Sequence, residues 1–415
     1  MSPSSMCSLG STSHFIEHIL PSELWAKVYA FVDLKQALYT RLVSIELARG
    51  VNTYLQQLGS NEGMEQTGFR LTLKLADETE MARDMLLAKL SVAKHLSGPY
   101  INLDLSGCGI TNRNTHWILK ALEEPSTIQR LQLVDNRLGI SGIKEIAEGI
   151  RVNNSMEDLN LGHCGIADRG ARAVGAALEE NSRLRGLNLA GNQITDDGVV
   201  ALARGLISNS GLNALDLTGN HLTCLAAEVV AEALQVNGHL KALAMNGTGD
   251  IQDPGCIALA QALTVNNSLQ SLSVAHNPFT CKAITALADT LLTNKSLTHL
   301  NISSTSTRDE GATSLAMALA ENHALVHLNL GHTLISSEGA LAFADAFRVN
   351  TTLQTLNLAS CSVKDNGAAA IADALLTNDV MLWVNLSFNP LTEQVANNLS
   401  TLLHQHNRKA NLHFI

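Results

Sequence analysis

One spacing governs this chain. The pattern LxxLxLxx(N/C/T) starts at Ile128, Met156, Leu184, Leu212, Leu240, Leu269, Leu297, Leu325, Leu353 and Met381, a step of 28 residues with one extra between Leu240 and Leu269. The same ruler reaches back to Tyr100, with Leu103, Leu105 and Cys108, and forward to Lys409, with Leu412 and Phe414. A chain of 415 residues locked to one step is an array of like units rather than a few independent cores. An aromatic share of 4% fits that reading, because small units that recur do not need large side chains to fill one core.

Each unit opens on a two-residue alternation, as in LRGLNLAGN (184–192), where Leu187 and Leu189 face one way and Gly186, Asn188 and Ala190 the other. That is a short parallel strand. A turn follows, then an Ala-rich run with helical spacing, such as GARAVGAALEEN (170–181). The few apolar side chains in one unit cannot offset the entropy of ordering it, so units must stack. Neighbouring strands sit about 4.8 Å apart and packed helices about 8–10 Å apart, so the stack bends with its strands inside. The signature resembles the leucine-rich repeat of ribonuclease-inhibitor-like proteins. The fold class is therefore α/β: a leucine-rich-repeat solenoid of curved parallel strands inside and helices outside.

Three columns of residues support the unit. After each strand come Cys108, Asn136, Cys164, Asn192, Asn220, Thr248, Asn277, Thr305, Thr333, Cys361 and Asn389, expected to turn inward and bond neighbouring loop backbones. Before each strand lies Asn153, Asn181, Asn209, Asn237, Asn266, Asn294, Asn322, Asn350 or Asn378, expected as helix C-caps in the left-handed conformation. The third column, Gly142, Gly170, Gly198, Gly255, Gly311, Gly339 and Gly367, lets each turn approach its neighbour; acids such as Asp168, Asp196, Asp309 and Asp365 sit nearby as caps of their own helices.

The formal charge of −10 has no basic stripe in it: residues 1–95 hold 9 Lys+Arg against 10 Asp+Glu, leaving 19 against 28 for the rest. Nucleic acid is not an expected partner. Seven cysteines without CxxC or CxxxH spacing imply neither a disulfide framework nor a zinc site, and point to a reducing, cytoplasmic compartment. The first basic residue is Lys27 and no apolar run approaches about 18 residues, so neither a secretory signal nor a membrane span is expected. Asn301 and Asn385 head sequons inside expected strands, where glycosylation would break the sheet. No phosphate-binding GxxxxGK(S/T) or GxGxxG follows a strand, and no cofactor is implied.

Residues 20–58 fall off the ruler. Leu20, Leu24 and Val28 recur at helical spacing beside Trp25 and Tyr29; a second run spans 34–43 and a third 44–58, with Ser44 as its cap. The order Leu20-Pro21, Glu23-Leu24, Val28, Phe31, Asp33-Leu34, Leu38, Leu42-Val43-Ser44 resembles an F-box, the helical motif that docks the Skp adaptor of cullin-RING ubiquitin ligases. The resemblance implies adaptor contacts at Leu20, Pro21, Glu23, Leu24, Val28, Phe31, Leu42 and Val43. Leu47 stands where that family often has an aromatic residue. With helices opening GARAVGAAL, GATSLAMAL, GALAFADAF and GAAAIADAL, the chain resembles GALA-type F-box/leucine-rich-repeat effectors that plant-pathogenic bacteria inject into host cells, which implies the host cytoplasm as its location. The organisation read here is a disordered leader over 1–13, an all-α F-box-like module over 14–60, a capping strand and helix over 61–99, and the solenoid over 100–415.

These readings imply a monomeric substrate-receptor adaptor that binds a Skp-type subunit and a target protein, with no chemistry of its own. The alternative is a non-catalytic scaffold or inhibitor whose first helices only cap the solenoid. None of the seven cysteines has Asp two residues on, the nucleophile pattern of some bacterial repeat ligases. A GTPase-activating role could use loop residues alone and is tested by nucleotide hydrolysis. On the inner face, the central row Asp104, Gln132, Asn160, Asn188, Asp216, Ala244, Ser273, Asn301, Asn329, Asn357 and Asn385 is expected to bond locally. Target contacts are assigned to Arg130, Asp158, Asp216, His299, His327 and Trp383, with Trp383 and Arg130 foremost. His299 and His327 should lie one strand apart, near His276 and His332, but without a carboxylate or thiolate beside them they are not assigned a metal.

Overall fold

The fold comes from a computed structural model that describes residues 69–72, 101–123, 126, 128–405 and 411–413. Thirteen strands form one sheet in sequence order: β1 (Phe69–Thr72), β2 (Ile101–Asp104), β3 (Ile128–Gln132), β4 (Asp158–Asn160), β5 (Gly186–Asn188), β6 (Ala214–Asp216), β7 (Ala242–Ala244), β8 (Ser271–Ser273), β9 (His299–Asn301), β10 (His327–Asn329), β11 (Thr355–Asn357), β12 (Trp383–Asn385) and β13 (Asn411–His413). Every pairing is parallel, with Leu159, Leu187, Leu215 and Leu243 in register across four strands. Helices from Thr115–Glu123 to Glu393–Gln405 alternate with the strands and form the outer layer of a curved solenoid. The extra residue after Leu240 is absorbed in the turn ahead of the helix Asp253–Leu263, where Gly249 has φ 94°, and Leu243 still pairs with Leu272.

The core follows the repeat. In one unit Leu184, Leu187, Leu189, Ile194, Val199, Leu202 and Leu206 are all buried, and the same positions recur along the array as one continuous apolar interior. From β4 to β12 each three-residue strand turns its single central leucine or valine inward and two residues outward, as the period of two requires. None of the described helices is long and apolar enough to cross a membrane.

Two asparagine ladders hold the turns. After the strands, Asn192 donates from Nδ2 to the carbonyls of Leu161 (2.8 Å) and Leu189 (2.9 Å), while its Oδ1 accepts from the N–H of Cys164 and of Ile166. Asn136, Asn220 and Asn277 repeat that bridge, and Cys164 occupies the same place with its thiol against the Leu133 carbonyl.

The column before the strands differs from the left-handed caps expected of it. Asn153, Asn181, Asn209, Asn237, Asn294 and Asn322 do end helices, but with φ between −73° and −94°, in extended backbone. Their work is done by the side chain. Asn209 donates to the carbonyls of Leu178 (2.7 Å) and Asn181 (2.6 Å) and accepts from the N–H of Gly211 (2.9 Å) and Leu212 (2.7 Å). From Asn181 to Asn378 each amide donates to the backbone carbonyl of the asparagine one unit earlier, giving an unbroken ladder. Buried helix ends and strand starts both leave backbone groups without partners, and only a side chain with a donor and an acceptor satisfies both at once.

The acids also act between units. Asp168, Asp196, Asp309 and Asp365 were expected to cap their own helices; instead each carboxylate accepts from the N–H and hydroxyl of Thr195, Thr223, Ser336 and Thr392, at 2.6–2.9 Å. Asp309 accepts as well from the N–H of Gly339. A Cβ at Gly339 would sit 2.8 Å from Asp309 Oδ1 and from Ala312, so glycine is what lets this latch close.

Candidate functional site: the concave face

The inner sheet presents two outward rows. The central one bonds locally, as the sequence suggests: Asn160, Asn188, Asn301, Asn329, Asn357 and Asn385 each accept through Oδ1 from the N–H two residues on. Asn160 also reaches Gln132 across the strands at 2.8 Å, and Asn301 reaches Ser273 at 3.0 Å.

The other row, two residues before it on each strand, varies sharply in size. It reads Arg130, Asp158, Gly186, Ala214, Ala242, Ser271, His299, His327, Thr355 and Trp383, in register throughout. Four consecutive small residues, from Gly186 to Ser271, leave a shallow trough of about 390 Å³. Sequence reasoning looked for large anchors and missed this gap. The signal was present in the same row, as the run G, A, A, S between two groups of larger side chains.

Both ends of the trough are walled. At one end Arg130 Nε donates to Asp158 Oδ2 at 2.9 Å, a pair that leaves both side chains substantially exposed (60% and 40%). These two expected target contacts therefore neutralise each other. At the other end the rings of His299 and His327 stack with centroids 4.2 Å apart and planes tilted by 31°. The Thr298 hydroxyl donates to the Gln270 carbonyl (3.0 Å), so it accepts from His299 Nδ1–H (2.8 Å), leaving the lone pair on Nε2. His327 Nδ1 meets the Thr355 hydroxyl at 2.8 Å. Partial burial, and then the neighbouring His327, hold His299 below the ordinary imidazole range. His276 and His332 lie on left-handed turns after β8 and β10, and among the described residues no group of three or more His, Cys, Asp or Glu is placed to hold a metal ion.

Beyond the histidines, Trp383 stands half-buried on β12 and Phe388 is 77% exposed on the turn that follows, with φ 56°. Equivalent turns carry Gly, Ser, His or Asp, so a bulky aromatic in that conformation is an exception within the array. The adaptor contacts read from sequence, Leu20, Pro21, Glu23, Leu24, Val28, Phe31, Leu42 and Val43, lie outside the described residues. Burial pushes the Cys164 thiol up to about 11, and raises Cys256 and Cys361 too.

This geometry defines the class: a leucine-rich-repeat solenoid with an open concave surface. The model of the Leucine Rich repeat family matches residues 152–175, 180–203, 236–260, 293–316, 321–344 and 349–372. Among solved structures, the complex of Rad7 and Elc1 in yeast is similar to this chain at 17% identity, with 94% of this chain and 96% of that one covered and a TM-score of 0.53. An internalin (inlF) from Listeria monocytogenes is 17% identical over 89% of this chain and 94% of its own, with a TM-score of 0.49. The second actin-binding site of leiomodin-1 covers 38% of this chain and 88% of its own at 19% identity, with a TM-score of 0.33. At such identities only the first carries an argument, and what it shows is the solenoid fold. No curated protein sequence matches.

Proposed function

We propose that this protein is a substrate-receptor adaptor of a Skp-cullin-F-box type ubiquitin ligase. The helices read over 14–60 bind a Skp-type adaptor through Leu20, Pro21, Glu23, Leu24, Val28, Phe31, Leu42 and Val43, and the concave face holds the protein to be ubiquitinated. The observation that carries the reading is the F-box-like order of residues 20–44 set ahead of a solenoid whose inner face is open and chemically varied. The protein makes and breaks no bonds; it raises the effective concentration of target lysines near a ligase-bound ubiquitin conjugate. The Gly-Ala helix openings support the further reading of a GALA-type bacterial effector acting as a monomer in a host cytoplasm.

Co-purification with a Skp-type adaptor tests this, wild type against a Leu20→Ala/Pro21→Ala double variant. The variant should lose the adaptor and keep its circular-dichroism spectrum; an undiminished complex would remove the reading. A second reading is a scaffold or inhibitor whose first helices only cap the array, since any solenoid must cover the apolar face of its end unit. Deleting residues 1–60 separates the two. A soluble, folded remainder fits the adaptor, and an aggregated one fits the cap.

A further inference from the structure

The trough carries a charge that its fold does not use. Asp216 lies on β6 between Asn188 and Ala244 of the flanking strands, with its Oδ1 accepting from the Thr218 N–H at 2.9 Å. Six asparagines of the same row make that turn with a neutral amide oxygen. The backbone asks only for an oxygen, so the negative charge at this position is surplus to the turn.

Among the described residues the carboxylate also has no cation beside it. Arg130 is engaged by Asp158, and the Arg185 guanidinium is turned to the Gly211 carbonyl at 2.7 Å. Asp216 is half-buried, which strips part of its hydration and makes an opposite charge more favourable there than on open surface. Apart from Asn188, the side chains around it are short: Ala214 on the same strand, Gly186 on β5, Ala242 and Ala244 on β7, and Ser271 on β8. At about 4.8 Å per strand, the floor from β5 to β8 is about 14 Å long.

We propose that this trough is the docking point for a lysine or arginine side chain of a protein partner. Its methylene stem lies on the methyl groups of Ala214, Ala242 and Ala244, and its cationic head reaches the free oxygen of Asp216 in a charge-assisted hydrogen bond. The proposal rests on the concave face being the target-holding surface, and it names the residue class that the target must present.

The test is fluorescence anisotropy of a labelled hexa-arginine peptide with the full-length protein at about 0.15 M salt, where long-range attraction is screened. The proteins compared are wild type, Asp216→Asn, the charge-matched Asp197→Asn on the exposed outer helix, and Ala242→Leu, which fills the trough. Wild type and Asp197→Asn should bind alike, Asp216→Asn should bind about tenfold more weakly or worse, and Ala242→Leu should lose binding. A hexa-glutamate peptide should not bind. Asp216→Asn keeps the acceptor for Thr218, so its melting temperature should match wild type. Equal binding by Asp216→Asn and Asp197→Asn, or no binding to wild type at about 1 mM peptide, overturns the proposal. Adaptor co-purification of Asp216→Asn is run alongside: failure at the trough with adaptor binding intact leaves the ligase reading standing, and the reverse outcome removes only that reading.

Discussion

The asparagine ladder makes a sharp prediction at Asn209. Its amide makes four bonds to backbone groups of two units, at 2.6–2.9 Å, from a site only 3% exposed. Replacing it by alanine leaves two carbonyls and two N–H groups without that partner. At about 1 kcal/mol net per hydrogen bond the loss is about 4 kcal/mol, less whatever water entering the gap restores. The decisive variant is Asn209→Gly. A residue valued for left-handed backbone is replaced by glycine at little or no cost. A residue valued for its amide is not, so Asn209→Gly should be at least as destabilising as Asn209→Ala. Urea unfolding followed by far-UV circular dichroism measures both, with hydrogen exchange in the flanking units reporting local opening, since repeat arrays need not unfold in one step. If Asn209→Gly lies within about 0.5 kcal/mol of wild type, the bridging account is wrong.

Three other outcomes follow from the geometry. Asp309→Ala removes bonds to Ser336 and Gly339 and should lower stability by about 1–3 kcal/mol, whereas alanine at the exposed Glu310 beside it should change little; thermal melts compare the two. His299 resists protonation in the folded state, so the unfolded chain takes up its proton first and the stability tied to this group is lost as pH falls from the ordinary imidazole range towards the lower folded value. Chemical denaturation between pH 8 and 5 should show that loss, and His327→Asn should reduce it without abolishing it, because burial of His299 is the larger cause. Cys164 and Cys256 should stay unlabelled by iodoacetamide at neutral pH until the protein is unfolded, because burial holds both thiols protonated; rapid labelling of either in the folded protein would contradict the packing described.

Much of the fold was legible because the solenoid makes each unit solve the same local problem. The leucines that fix the step are also the buried residues, and a period of two assigns inward and outward positions without knowledge of distant contacts. The inward column after the strands was readable for the same reason. The asparagine and acid columns were visible as columns, but their partners were not. Sequence places Asn209 beside its own helix end, and only stacking puts the Leu178 and Asn181 carbonyls of the preceding unit within its reach. Asp168 likewise reads as a cap until Thr195 of the next unit arrives beside it.

At the site, sequence gave the identities in the outward rows and the adjacency of His299 with His327. It could not show that Arg130 would be occupied by Asp158, or that the four short residues between Asp158 and His299 would open a trough around an uncompensated Asp216. Those facts depend on which long side chains bend towards one another across neighbouring strands, a matter of packing in three dimensions. The order of the units is written along the chain; the spaces and unpaired charges between them exist only once the units are stacked.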